Sequence, residues 1–251
     1  MSDVASVRPA VAAGARRSEV SVLTRVVGKV ALYLVLIAAG LTFVAPYFWM
    51  LSTSVKATGN EFDYPPVWIP NPILLENYVH TLNMLPFLQW AWNTVVIVVL
   101  SMIGAMLTSS MAGYGFARLR FPGRGFLFTM CLSTMMLPSI ITLIPKFILF
   151  TNLGWVNTNL PLWVPSWFGG EAFFIFLCRQ FFLSLPYELD EAARIDGASS
   201  WRIFGQVMVP LSKPVMATMA IFAYQGSWND FLNPLIYLPD RAKMTLAVGL
   251  N

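Results

Sequence analysis

Glu191-Ala-Ala-Arg-Ile-Asp-Gly-Ala-Ser-Ser-Trp-Arg-Ile-Phe-Gly-Gln-Val-Met-Val-Pro-Leu-Ser-Lys-Pro214 forms a polar island between two apolar runs, Leu160 to Leu185 and Val215 to Asn229. The chain has 16 basic and 12 acidic side chains. Eight of them crowd into or beside this stretch: Arg179, Glu188, Asp190, Glu191, Arg194, Asp196, Arg202 and Lys213. A loop that only joined two membrane spans would not need so much polar chemistry, so the island reads as a surface met by something outside the lipid. The rest of the chain sets the fold class. Hydrophobic residues fill 57% of 251 positions and charged ones 11%, and mean hydropathy is +0.65, above the composition of soluble domains. Uncharged runs near the length that spans a hydrocarbon core as a helix recur at Ala31 to Met50, Thr94 to Met111, Phe126 to Pro145 and Val215 to Asn229. With Leu160 to Leu185 the spans number five. The expected fold is an all-α membrane protein, a multi-pass transmembrane helix bundle.

The first run is too long for the core of a removable signal and is followed by four more, so it reads as a retained helix. Positive charge sets the orientation. Arg8, Arg16, Arg17, Arg25 and Lys29 precede the first span. The next connection holds Lys56 against Glu61, Asp63, Glu76 and the single histidine, His80. Arg118, Arg120 and Arg124 follow span two without an acid, and the island adds Arg179, Arg194, Arg202 and Lys213. This alternation gives a cytoplasmic N-terminal segment over 1–30, a first span over 31–50, an extracytoplasmic loop over 51–89 and a membrane core over 90–251. The cytoplasmic loop 186–214 belongs to that core. Trp49, Trp90, Trp92, Trp155, Trp163 and Trp228 stand near span ends, where interfacial aromatics belong. The net charge of +4 therefore reflects topology. No basic cluster is interleaved with stacking aromatics, which argues against nucleic acid as a partner. Cys131 and Cys178 lie in apolar surroundings and read as packing residues, with neither a disulfide framework nor a metal site.

Several segments carry local expectations. Residues 1–20 read as disordered, and Val20 to Lys29 as a short amphipathic stretch or a positive anchor. Ser101, Ala105, Ser109 and Gly113 line one stripe of span two, the pattern of close helix packing in lipid. Pro138 and Pro145 should each kink span three. Glu171 inside a span would be costly, but a helix starting after Gly169-Gly170 would put it in the first turn, facing the positive helix end. The island reads as two short helices. Pro186 suits the first helical turn, Asp190 and Arg194 are spaced for an i,i+4 pair, and Gly197 can end the first helix in the left-handed conformation. Ser199 or Ser200 can cap the second, with Trp201, Phe204, Val207 and Met208 facing the membrane side.

The run Glu191-Ala-Ala-x-x-Asp-Gly-Ala, with Phe204 and Pro210-Leu-Ser-Lys-Pro214, resembles the cytoplasmic loop known as the EAA motif in permease subunits of ATP-binding-cassette importers. Asn77-Tyr78, Asn93-Thr94, Ala112 to Arg118, Leu177 to Phe182, Gly226 to Pro234 and Thr245 to Gly249 are similar to the carbohydrate-uptake branch, the second permease subunit of maltose and glycerol-phosphate importers. The resemblance runs from about Ala31 onward. It implies a subunit in the cell membrane that forms the translocation pathway for a sugar or related solute. The implied partners are an ATPase subunit dimer, a second permease subunit and an extracytoplasmic solute-binding protein. It further implies that Glu191, Ala192, Ala193, Asp196, Gly197 and Ala198 couple the ATPase to the bundle. In keeping with this, no nucleotide-binding Gly-x-x-x-x-Gly-Lys-Ser/Thr loop is present, and no cofactor, metal or catalytic residue is expected. Such subunits usually have six spans and end inside the cell. This chain stops at Asn251 after five, so a sixth helix is expected to be missing.

Two other function classes are weaker. An ion-coupled secondary transporter usually needs ionisable groups within its spans, and Glu171 is the one candidate. A membrane enzyme would need a triad or metal pair, and His80 has no such company. For the solute path, Trp228, Asn229 and Asp230 offer stacking and hydrogen-bonding groups, although Trp228 reads equally well as an interfacial anchor.

Overall fold

A computed structural model describes residues 8–251, with side chains from Arg25 onward. Among the described residues every regular element is helical. In chain order they are α1 (Arg8–Ser54), α2 (Glu76–Met84), α3 (Phe87–Arg118), α4 (Arg124–Ser133), α5 (Ser139–Asn152), α6 (Leu160–Trp163), α7 (Ala172–Ser184), α8 (Glu188–Ile195), α9 (Ser200–Ile203), α10 (Val209–Leu211), α11 (Lys213–Trp228), α12 (Leu232–Tyr237) and α13 (Leu246–Gly249). Three stretches are long and apolar enough to cross a membrane: Arg25–Ser54, Phe87–Arg118 and Leu160–Ser184. Two bent pairs raise the number to five if each is one span. Residues 1–83 and 84–251 form separate compact units.

In the first unit, the expectation of disorder falls outside the described residues for 1–7. From Arg8 the backbone is helical and runs unbroken through the expected amphipathic stretch and first span to Ser54. The loop after it is pinned to the helix end. Ser52 Oγ donates to the Trp68 carbonyl at 2.6 Å, and the Asn77 amide donates to the carbonyls of Ser54 and Lys56 at 3.1 and 2.8 Å. Lys56 is buried, with its ammonium 4.1 Å from the centre of the Trp49 ring, an attraction that offsets part of the cost of hiding a cation.

The second unit is organised around α3. Its small-residue stripe lets α7 and the 160–167 segment approach closely, as the pattern predicts. Ser101 Oγ donates to the Leu162 carbonyl at 3.2 Å, Thr108 Oγ1 to that of Ser166 at 3.1 Å, and Trp167 Nε1 to that of Leu100 at 3.1 Å. At Gly113 a Cβ would lie 2.6 Å from Cys178 Cβ and 3.0 Å from the Arg179 amide nitrogen. Gly113→Leu must therefore push α3 and α7 apart, and overpacking of this kind costs about 1–3 kcal/mol. A thermal-shift measurement in detergent should show a lowered melting temperature for Gly113→Leu and no change for Gly115→Ala, where a Cβ meets open space. Equal melting of both variants would contradict this packing.

The bends have local causes. Arg124–Met136 meets Ser139–Asn152 at 98°. Pro138 has no N–H to continue the ladder and holds Leu137 extended, at φ −83° and ψ 118°, as a residue before proline prefers. Pro145, also expected to kink this span, sits inside α5, so the break falls at Pro138. Ser200–Leu211 meets Lys213–Trp228 at 77° across Ser212. Cys178 is fully buried against Met219, with sulfurs 3.1 Å apart, and Cys131 is half-buried. Both thiols are free packing residues.

Not every tryptophan is interfacial. Trp92 is exposed, but Trp90 is 1% exposed, and its Nε1 donates to the Arg241 carbonyl at 2.7 Å. Asn93 donates to the carbonyls of Ala242 and Met244 at 3.0 and 3.1 Å. Thr94 Oγ1 accepts from the Leu246 amide at 2.9 Å, and the Trp90 ring lies against Gly249. One turn of α3 thus clamps the whole 241–249 segment.

Candidate functional site

The polar island folds as two short helices around a tight corner. Glu188, Asp190 and Glu191 occupy the first turn of α8, where carboxylates meet the positive helix end. Pro186 lies just before the helix, not in its first turn. The α8 terminus is a Schellman turn. The Gly197 amide donates to the Arg194 carbonyl at 3.0 Å and the Ala198 amide to the Ala193 carbonyl at 2.9 Å. Gly197 has φ +80°, the left-handed conformation that a side chain makes costly. Ser199 then caps α9, its Oγ accepting from the Arg202 amide at 3.4 Å.

Among the expected coupling residues, Glu191, Ala192, Asp196 and Gly197 are exposed together along this corner. Ala193 and Ala198 are half-buried and rest on the apolar core. Two neighbours outside the expected coupling set are also exposed, Ile195 at 86% and Trp201 at 70%. Trp201 was expected to face the membrane side with Phe204, Val207 and Met208; the last three lie in or against the apolar core, and Trp201 does not. Ile203 is fully buried in the same core as Met208. A wide helical turn over Phe204–Met208 follows α9, with i→i+5 pairing.

The expected Asp190–Arg194 pair does not form. Asp190, 1% exposed, faces Arg118 at the end of α3, with Arg118 Nη1 3.0 Å from Asp190 Oδ2. It is the one ion pair among the described residues. A buried carboxylate takes the nearest buried cation, since leaving either charge alone there would cost several kcal/mol. Arg118 Nη2 donates to the Leu185 carbonyl at 2.8 Å, just beyond α7, and the guanidinium carbon lies 5.5 Å from the centre of the Tyr187 ring. The joint is incompletely satisfied. Arg118 Nε, both Asp190 oxygens and the Tyr114 hydroxyl have no hydrogen-bond partner, so the pair is held by Coulombic attraction off the hydrogen-bonding line. Burial pushes the Asp190 carboxyl above the usual carboxylate range, while Arg118 and Arg194 pull it back.

Away from the island, α3, α5, α6, α7, α11 and α12 line a half-open cavity of about 470 Å³. Its polar lining includes Ser101, Lys146, Glu171, Ser227, Asp230 and Asn233, with Phe174 and Phe222 as apolar walls. Glu171 sits one residue before α7, with extended backbone (φ −99°, ψ 138°), and its side chain makes no capping bond. Of the three solute-path candidates, the cavity gathers Asp230, whose carboxylate accepts from the Asn233 amide and side chain at 3.2 and 2.8 Å. Trp228 stacks on Tyr224 with ring centres 5.3 Å apart, and Asn229 donates back to the Gln225 carbonyl; neither lines the cavity. Lys146, Glu171 and Asn233 were not grouped in the sequence because they come from separate elements.

Comparison with known proteins matches this architecture. A family model described as the binding-protein-dependent transport system inner membrane component matches residues 105–247. The chain is 36% identical over 207 residues to the diacetylchitobiose uptake system permease protein NgcG of Streptomyces coelicolor, which covers 82% of this chain and 68% of that protein. It is 32% identical to the arabinooligosaccharides transport system permease protein AraQ of Bacillus subtilis, over 89% of this chain and 80% of that one. It is 31% identical to the sn-glycerol-3-phosphate transport system permease protein UgpE of Brucella abortus, over 82% and 74%. Among solved structures, a bacterial ABC transporter involved in the import of the acidic polysaccharide alginate superposes with a TM-score of 0.79 at 26% identity, covering 90% of this chain and 79% of that one. Helical bundle, island and relatives agree, and the chain belongs to the family of inner membrane permease components of binding-protein-dependent ATP-binding-cassette importers.

Proposed function

We propose that this permease carries a neutral oligosaccharide into the cell, with its N-terminus and the 186–214 loop in the cytoplasm. A separate ATPase dimer docks on the exposed corner of Glu191, Ala192, Asp196 and Gly197, with Ala193 and Ala198 beneath and Ile195 and Trp201 at its edge. A second permease subunit completes the pathway, and an extracytoplasmic binding protein delivers the solute. The observation that carries the coupling role is the Schellman corner itself. It holds Ala192, Glu191 and Asp196 exposed over Ala193 and Ala198, which rest on the apolar core, a shape that another protein can grip without rearranging it.

The cavity favours the solute class. Its lining combines one cation, Lys146, with two anions, Glu171 and Asp230, and adds hydroxyl, amide and aromatic groups. That mixture suits a polyhydroxylated neutral ligand better than a phosphorylated or uronate one, which would meet a net negative wall. Two of the relatives above are named for oligosaccharides, which supports the same class. The test is uptake into proteoliposomes holding this chain with its ATPase, second permease and binding protein. Labelled chito- or arabino-oligosaccharide should accumulate with ATP and continue after the proton gradient is collapsed. Uptake that stops on collapse at constant ATP would establish the secondary-transporter reading in its place.

A further inference from the structure

We infer that Arg118 is a positioning residue, and that its buried pair with Asp190 is the strut through which movement of the cytoplasmic corner reaches the membrane bundle. This rests on the importer reading above and gives a role to two residues outside the expected coupling set. Three elements converge on one guanidinium. Arg118 is the last residue of α3, the helix around which the second unit is packed. Its Nη2 holds the Leu185 carbonyl that closes α7, and its Nη1 faces Asp190 in the first turn of α8. Asp190 is the one buried charge of α8, so a displacement of the exposed corner pulls on α3 and α7 through this contact.

The pair is poorly built as a stability element. Its two members keep three buried polar atoms without hydrogen bonds, and a buried ion pair with orphaned groups is commonly no better than an apolar replacement. A mechanical role accounts for its form. A planar fork can hold a carbonyl and a carboxylate at once in fixed directions, and the unspent hydrogen-bonding capacity of Asp190, Arg118 and Tyr114 leaves room for a second arrangement of the same groups. Arg120, Arg194 and Glu191 stand around the mouth of the adjoining cleft, but none of them reaches both α3 and α8.

The experiment uses the complete transporter in proteoliposomes and reads two quantities, solute taken up per ATP hydrolysed and stimulation of hydrolysis by the binding protein. Arg118→Lys keeps the charge and loses the fork. The double variant Arg118→Met with Asp190→Leu removes both charges together and leaves neither stranded. Both are expected to co-purify with the ATPase at the unsubstituted yield while uptake per ATP falls about tenfold, within the usual range of coupling between sites. A double variant with unchanged uptake per ATP would overturn the proposal. So would a double variant that fails to assemble, because the pair would then be structural. Loss of ATP-driven uptake by the unsubstituted chain is a different result, and it would refute the importer reading itself.

Discussion

Gly197→Trp is expected to leave the protein inserted in the membrane at normal levels and to cut ATP-driven uptake by at least about tenfold. The reasoning starts from the backbone. Gly197 sits at φ +80°, and forcing an ordinary residue into the left-handed region costs about 1–2 kcal/mol, where 1.4 kcal/mol already corresponds to a factor of ten. Nothing lies within 4 Å of the position a Cβ would take, so the bundle beneath has no clash to resist. The strain falls on the two Schellman bonds to Arg194 and Ala193, and the indole projects from the face that the ATPase is proposed to grip. Membrane fractionation would check insertion and labelled-solute uptake the coupling. Normal uptake by this variant would remove the corner from the coupling pathway.

Trp90→Ala should be the most destabilising single substitution in the second unit, at about 3–5 kcal/mol for loss of a fully buried large aromatic side chain. Two effects combine. The ring fills the space between α3 and Gly249, and its N–H is the partner of the Arg241 carbonyl. Trp90→Phe separates them, because it keeps most of the ring and gives up the hydrogen bond, for about 1 kcal/mol. Unfolding in detergent should therefore rank the unsubstituted protein above Trp90→Phe and that above Trp90→Ala. If Trp90→Ala melted with the unsubstituted protein, the 241–249 segment would not depend on this clamp.

What could be read in the sequence followed from how local its cause was. Spans are announced by runs of apolar residues, and the five expected regions fall on three long apolar helices and two bent helix pairs. The corner at Gly197 and the cap at Ser199 were legible because turn and capping chemistry acts within a few residues. The partner of Asp190 was not. Local spacing offers Arg194, four residues on, whereas burial selects Arg118, seventy-two positions away in the chain, which only the tertiary fold brings to the first turn of α8. Trp90 misled in a similar way. An aromatic at a span end has the same sequence signature whether it meets the interface or a later segment folds over it. The cavity lay beyond reach because Lys146, Glu171 and Asp230 belong to three different segments, with no periodicity relating them. Nor did any residue type announce that Ile203 would be buried in the core while Trp201 stays exposed.

The near right angle at Pro138 also limits how this molecule can live in a bilayer. The hydroxyls of Ser133 and Thr134 donate to the carbonyls of Met130 and Cys131, both at 2.7 Å, which replaces part of what a continuing coil would supply; acyl chains offer no donor for the backbone oxygens these hydroxyls do not reach. That flank cannot be bathed in hydrocarbon alone. It needs either a wet crevice or the side of another polypeptide, so solitary insertion should be unfavourable for reasons independent of which solute is carried.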